Sequence, residues 1–237
     1  MKQTERNIAM KTNQAKRLLP LLTAFLIAAA EYGWVAWYYG KLYRQGMTIS
    51  VLHINMANLS NAFQQHLLVN LQGILLLLIC IVVWKRQVPD KLGFSIKTKR
   101  GKTTALIALT VALATLAFAL VSASIPVEQA LYGWVYYLIF VAFFEELTFR
   151  AVLPWLMKKS SLPNWCEWLI PAMLFAAMHT MIPLITGGAP AVLKAITTNL
   201  IGLIVGGCAY YGLYRWTGNI WTPTLLHGVL DYPSLLI

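Results

Sequence analysis

The sequence predicts an all-α protein, a polytopic transmembrane helical bundle of about seven spans (six to eight). Three observations predict it. Of 237 residues, 59% are hydrophobic and only 11% charged, where a soluble domain carries about 25% charged residues. Several apolar runs reach roughly 18 residues or more, enough to cross about 30 Å of hydrocarbon as a helix. None of these runs alternates apolar and polar residues as the strands of a membrane barrel do.

The spans are expected near 18–39, 67–84, 103–122, 134–158, 165–184, 195–214 and 219–236. The first follows a basic start and contains "AAA" at 28–30, a pattern shared with signal peptides. Its apolar run continues through "WVAWYY", so an uncleaved anchor helix is expected. Glu31 is a lone acid in that span, read as an interfacial or helix-paired residue and given no role. The stretch "SVLHINMANLSNAFQQH" (50–66) reads as a polar outer loop or an amphipathic interfacial helix, with His53 and His66 on the surface. Residues 85–102 form a basic inner loop, and 122–133 a short outer turn. Residues 1–130 thus make an N-terminal transmembrane region of about three spans with no chemical constellation. Residues 131–237 make a second region. Cys80, Cys166 and Cys208 lack metal-like spacing and read as packing residues.

The net charge of +11 raises the question of nucleic acid, and its distribution answers it. With the N-terminus inside, all but three of the nineteen Lys and Arg residues fall on inner segments. Lys41, Arg44 and Lys194 are the outer ones. This is the positive-inside bias. No nucleic-acid module accompanies the charge, and the basic loop 85–102 is expected against anionic lipid headgroups. A multi-pass protein of a cell membrane, bacterial and with a cytoplasmic N-terminus, is the expectation.

The second region places ionisable residues inside spans, where they are costly and by default functional. They are Glu145, Glu146 and Arg150 in "FFEELTFR", His179 in "FAAMH", and His227 and Asp231 in "HGVLD". On a helical wheel Glu146 and Arg150 lie only about 40° apart, and Glu145 lies roughly 140° from Arg150. Arg150 can therefore neutralise Glu146 as an i, i+4 pair. Glu145 is left without a local partner and is suited to take and return a proton. Phe175 and His179 share a face, as do His227 and Asp231. If the fourth span continues to Lys158 despite Pro154, Glu145 lies roughly 20 Å from the inner lysines and His179 about 22 Å from Asn164. The two then meet at similar depth. "TGNIWTP" is a point where the chain could break before His227. Gly202 and Gly206 match a small-xxx-small helix contact. Asn199, Tyr210 and Tyr211 read as interhelical hydrogen-bonders or interface anchors.

The three clusters in this order resemble the CPBP family of intramembrane proteases, which includes CAAX prenyl endopeptidases and the ABI group of bacteriocin-processing and immunity proteins. The family pattern, EExxxR, FxxxH and HxxxN or HxxxD, appears as Glu145-Glu146-…-Arg150, Phe175-…-His179 and His227-…-Asp231. The resemblance covers roughly residues 132–237. It implies an all-helical membrane endopeptidase acting on a peptide or a lipidated membrane protein. Glu145 with His179 would activate water, and His227 with Asp231 would stabilise the oxyanion. Asp231 departs from the commoner Asn. An ionised Asp repels an oxyanion, so it either stays protonated or orients His227.

Chemistry permits this reading independently, since hydrolysis needs a base, an electrophilic stabiliser and a proton for the leaving amine. Metal-independent glutamate chemistry is the expectation, with no cofactor. Zinc held by Glu145, His179 and His227 is the alternative, although no HExxH helix is present. Two other functions compete. One is a non-catalytic immunity or scaffold protein. The other is a proton-coupled transporter, which lacks the support of an inverted repeat.

Overall fold

The computed structural model describes residues 2–46, 59–82, 90–122 and 125–235, with side chains placed for 18–46, 59–82, 90–122 and 125–233. All regular structure among them is helical. Helix α1 spans Lys2–Arg44, α2 Leu59–Val69, α3 Leu71–Val82 and α4 Lys99–Ser122. Helix α5 is an unbroken run from Val127 to Lys159, in which α-helical turns alternate with two π-helical segments, Tyr136–Phe143 and Leu147–Val152. Helix α6 spans Asn164–Met178, α7 Met181–Thr217 and α8 Trp221–Asp231, ending in a 3₁₀ turn.

The N-terminal helices are inverted relative to those of a soluble protein. On α4, Ala105, Ala108, Ala112 and Ala119 are buried, while Leu106, Ile107, Phe118 and Val121 point outward. On α1, Ala24 and Ala28 face inward, and Leu18, Leu22 and Leu26 face outward. Small residues inside let helices approach closely, and large apolar ones outside meet lipid tails.

Among the described residues, three helical stretches are long and apolar enough to cross a membrane: Leu18–Arg44, α4 and α7. The bent pair Ser60–Val69 and Leu71–Val82 makes a fourth if counted as one span. That is fewer than the six to eight expected, and the differences have local causes. The 67–84 segment bends by 60° at Asn70, whose side-chain amide donates to the His66 carbonyl. The 165–184 segment stops at Met178, and a new helix starts at Met181. The 195–214 segment is part of the longer α7, which kinks at Gly188 (φ 64°, ψ −156°), a conformation that costs glycine little. The 219–236 segment is cut back to the 11 residues of α8. "TGNIWTP" does break the chain, at Gly218, which is left-handed.

Two further expectations fall on the same region. His66 is not on the surface: it is 1% exposed and stacked on Tyr136, with its Nδ1 2.7 Å from the Tyr132 hydroxyl. His53 lies outside the described residues.

The break before α8 is tied down. The Thr222 amide donates to Asn219 Oδ1 (2.8 Å), Ile220 N–H to the Gly93 carbonyl (3.0 Å) and the Trp221 indole to the Phe94 carbonyl (2.8 Å). Helix α8 is thereby anchored to the start of α4 and packs along α4 and α5. Its closest approach to α5 is at Gly228. A Cβ there would lie 2.5 Å from Leu138 Cδ2 and 3.1 Å from Leu138 Cα.

Candidate active site

The site is assembled by α5, α6, α7 and α8. Along α5, Glu145 and Glu146 occupy a single α-helical turn between the two π segments. Pro154 has no N–H to return to the Arg150 carbonyl, and the widened turns Leu147–Val152 come just before it. Such π turns often mark functional positions. The helix continues past Pro154 to Lys159, as the depth argument requires.

The two glutamates have different surroundings. Glu146 is 0% exposed. Its Oε1 lies 3.4 Å from Arg150 Nε and accepts a 2.8 Å hydrogen bond from His227 Nδ1. The i, i+4 ion pair is therefore present, and the histidine joins it across 81 residues of sequence. Glu145 is partly open and makes no hydrogen bond among the described residues. Its Oε2 lies 3.6 Å from His227 Nε2. Asp231 Oδ2 approaches the same Nε2 at 3.3 Å. His227, 7% exposed, is thus flanked by three carboxyls on its two nitrogens. Arg150 is 2% exposed and sits 4.0 Å over the Phe175 ring, a cation–π contact that matters most where water is excluded.

His179 stands at the C-terminal end of α6. Its Nδ1 donates to the Phe175 carbonyl at 2.9 Å, which assigns the proton to Nδ1 and leaves Nε2 as an acceptor. The Phe175 ring contacts both histidines, at 4.6 Å from His179 and 6.3 Å from His227 between centroids. Two histidines that the sequence leaves on separate helices are brought to one ring.

A cavity of about 440 Å³ is bounded by Glu145, Arg150, His179, Tyr210, His227 and Asp231. Five of the six expected site residues line it, and Glu146 lies behind. Gly202 and Gly206 line it as well, and a Cβ at either would meet nothing within 4 Å. The expected small-xxx-small contact is therefore not made there. The next glycine, Gly207, packs against another helix instead: its Cβ would lie 3.0 Å from Ala172 Cβ. Tyr210, expected as an interhelical hydrogen-bonder or interface anchor, also lines the cavity. Its ring lies 5.2 Å from that of His227 and 5.8 Å from the Arg150 guanidinium. The signal was present: Gly202, Gly206 and Tyr210 recur every four residues on one face.

A second cavity of about 230 Å³ shares Glu145, His179 and Val141 with the first and adds Glu31, Tyr39, Asn70 and Gln72. Among the described residues, no group of three or more His, Cys, Asp or Glu side chains has metal-holding geometry. Both His227 nitrogens lie against carboxyl oxygens.

Comparison with known proteins bears on residues 126–233, which match the family model described as type II CAAX prenyl endopeptidase Rce1-like. No significant match was found among curated proteins or among solved structures. The matched segment contains all three motifs, from Glu145 to Asp231. Over that segment the chain is similar to the CPBP/CAAX protease family.

Proposed function

We propose that the protein is an intramembrane endopeptidase that hydrolyses a peptide bond in a peptide or lipidated membrane protein through water activated by Glu145 and His179. The observation that carries the reading is the contrast at 145–146. Glu146 Oε1 meets both His227 and Arg150, while the Glu145 carboxyl is free of hydrogen bonds among the described residues and lines a cavity with His179.

A water between the two groups gives its proton to Glu145, and its oxygen attacks the scissile carbonyl carbon. The C–O bond forms as the carbonyl π bond shifts its electron pair to oxygen. His227, held from behind by Glu146, presents its Nε2–H to that oxyanion. Collapse breaks the C–N bond, and Glu145 returns its proton to the leaving nitrogen. Asp231, 3.3 Å from Nε2, orients His227 in the resting site and gives up that N–H as the oxyanion forms. Arg150 and Glu146 hold the histidine in place, and no cofactor is invoked.

The same reading takes the chain to cross a bacterial cell membrane six to eight times with its N-terminus in the cytoplasm. Helices α5 to α8 lie in the bilayer with their charges turned into the bundle. The 85–102 segment then meets anionic headgroups. In support, Lys91, Lys158, Lys159 and Arg215 line one cavity of about 510 Å³ and outnumber its two acids, Asp90 and Glu167. The test is a peptidomic comparison of membranes carrying wild-type protein or Glu145→Gln. Fragments present only with the wild type are expected. Identical peptide sets from well-expressed proteins overturn the reading.

A further inference from the structure

The smaller cavity holds a carboxyl that the proposed mechanism does not use. Glu31 comes from α1, well outside residues 126–233. It is 6% exposed, has no hydrogen bond or ion pair among the described residues, and lines the cavity that also reaches Glu145. A buried carboxyl without a counter-ion in an apolar bundle is costly.

Unspent acceptors stand near Glu31, beside the hydroxyls of Tyr39 and Tyr136. Gln72 also lines the cavity, and its Oε1 is buried without a partner. Asn70 spends one amide N–H on the His66 carbonyl (2.9 Å), and its Oδ1 is an acceptor. No lysine or arginine lines this cavity, whereas Arg150 lines the larger one. Around these acceptors stand Val35, Phe140, Val141, Phe144 and Ile182. Apolar walls suit an aliphatic stem, and clustered acceptors suit a charged donor at its end.

We propose that Glu31, Gln72 and Asn70 form a recognition subsite for a basic group on an aliphatic stem, the ammonium or guanidinium of a lysine or arginine side chain in the substrate. Its use in cleavage rests on the endopeptidase reading, because the subsite adjoins Glu145. The binding chemistry does not. Glu31 supplies the counter-charge, Gln72 and Asn70 accept the remaining N–H bonds, and the rings of Phe140 and Phe144 flank the stem. The subsite would select substrates with a basic residue close to the scissile bond.

Binding is tested first, on the full-length protein in detergent, by thermal unfolding with hexylammonium, hexylguanidinium or hexanol as the probe. The two cations are expected to stabilise the wild type at concentrations where hexanol does not. Glu31→Gln should weaken their apparent affinity at least tenfold, and Gln72→Leu several-fold. Equal cation binding by the wild type and Glu31→Gln, or hexanol acting as well as the cations, overturns the subsite. Should Glu31→Gln fail to accumulate, Gln72→Leu carries the same comparison. Cleavage is tested second, with peptides that differ only by lysine or norleucine near the scissile bond. The lysine-to-norleucine ratio of kcat/KM should be about ten for the wild type and fall toward one for Glu31→Gln. Cation binding through Glu31 with no cleavage of any peptide would sink the endopeptidase reading alone. Cleavage with no lysine preference would sink the subsite alone.

Discussion

The cluster behind the cavity and the wall that faces it differ in what their charged groups meet. Behind the cavity, Glu146 joins Arg150 and His227, all nine-tenths or more buried. On the wall, Glu145 and the Nε2 of His179 are left open toward the same space. The two glutamates are adjacent in sequence, so their difference is made by what the rest of the fold brings to each. One set of charges is tied up to hold a shape, and the other is left free to meet water or substrate.

The sharpest way to break this contrast is to neutralise each acid in turn. Glu145→Gln is expected to abolish cleavage, a loss of at least about 100-fold, with normal yield and unfolding temperature. Glu146→Gln should instead reduce yield and stability, because it leaves Arg150 buried without its counter-ion. Removing one partner of a buried pair costs about 3–5 kcal/mol. Arg150→Ala should behave alike, and the double variant should recover part of the loss. Equal loss of activity with normal expression in both single variants would end the division of roles.

A smaller effect separates packed from open glycines. Gly228→Ala forces a Cβ against Leu138 one residue from His227, and overpacking of this kind costs about 1–3 kcal/mol. Unfolding temperature and activity should both fall. Gly202→Ala adds its Cβ to open space and should leave the unfolding temperature unchanged. A matching drop in both would show that the space along Gly202 closes in the working protein.

The smallest expected effect lies at Asp231. If it orients His227, Asp231→Asn keeps an acceptor for the imidazole N–H and retains most of the activity, also after exhaustive chelation. Elemental analysis should find no stoichiometric zinc. Activity lost by chelation and restored by added zinc would overturn the metal-free reading and make His179, His227 and an acid the ligands.

Much of the site was legible because its parts are local. The Glu146–Arg150 pair follows from helical spacing alone, and the three clusters announce themselves as charge within apolar runs. The bond from His227 to Glu146 was not legible, since no periodicity relates residues 81 apart. Neither was the burial of His66, which sits in a polar stretch and owes its setting to Tyr132 and Tyr136 on another helix. Helix existence was read more securely than helix ends. α6 stops at Met178 with no glycine or proline between it and α7. Glu31 passed as a lone acid because its neighbours in space, Asn70 and Gln72, lie about 40 residues away in another expected span and no periodicity relates them.

The two π segments of α5 have a consequence for how this protein tolerates changes of chain length. A π turn holds roughly one residue more than an α turn, so each stores a spare residue within a continuous rod. Deleting one residue between Leu147 and Val152 would let the segment tighten into ordinary α-helix, with its hydrogen bonds intact. Residues beyond the deletion would keep nearly their present facing relative to Glu145, because the wide turn had absorbed the residue removed. Only a deletion between Glu146 and Arg150 would shorten the spacing of that pair. The wide turns thus act as slack, letting this stretch of α5 lose a residue while its lysine-bearing end keeps its direction.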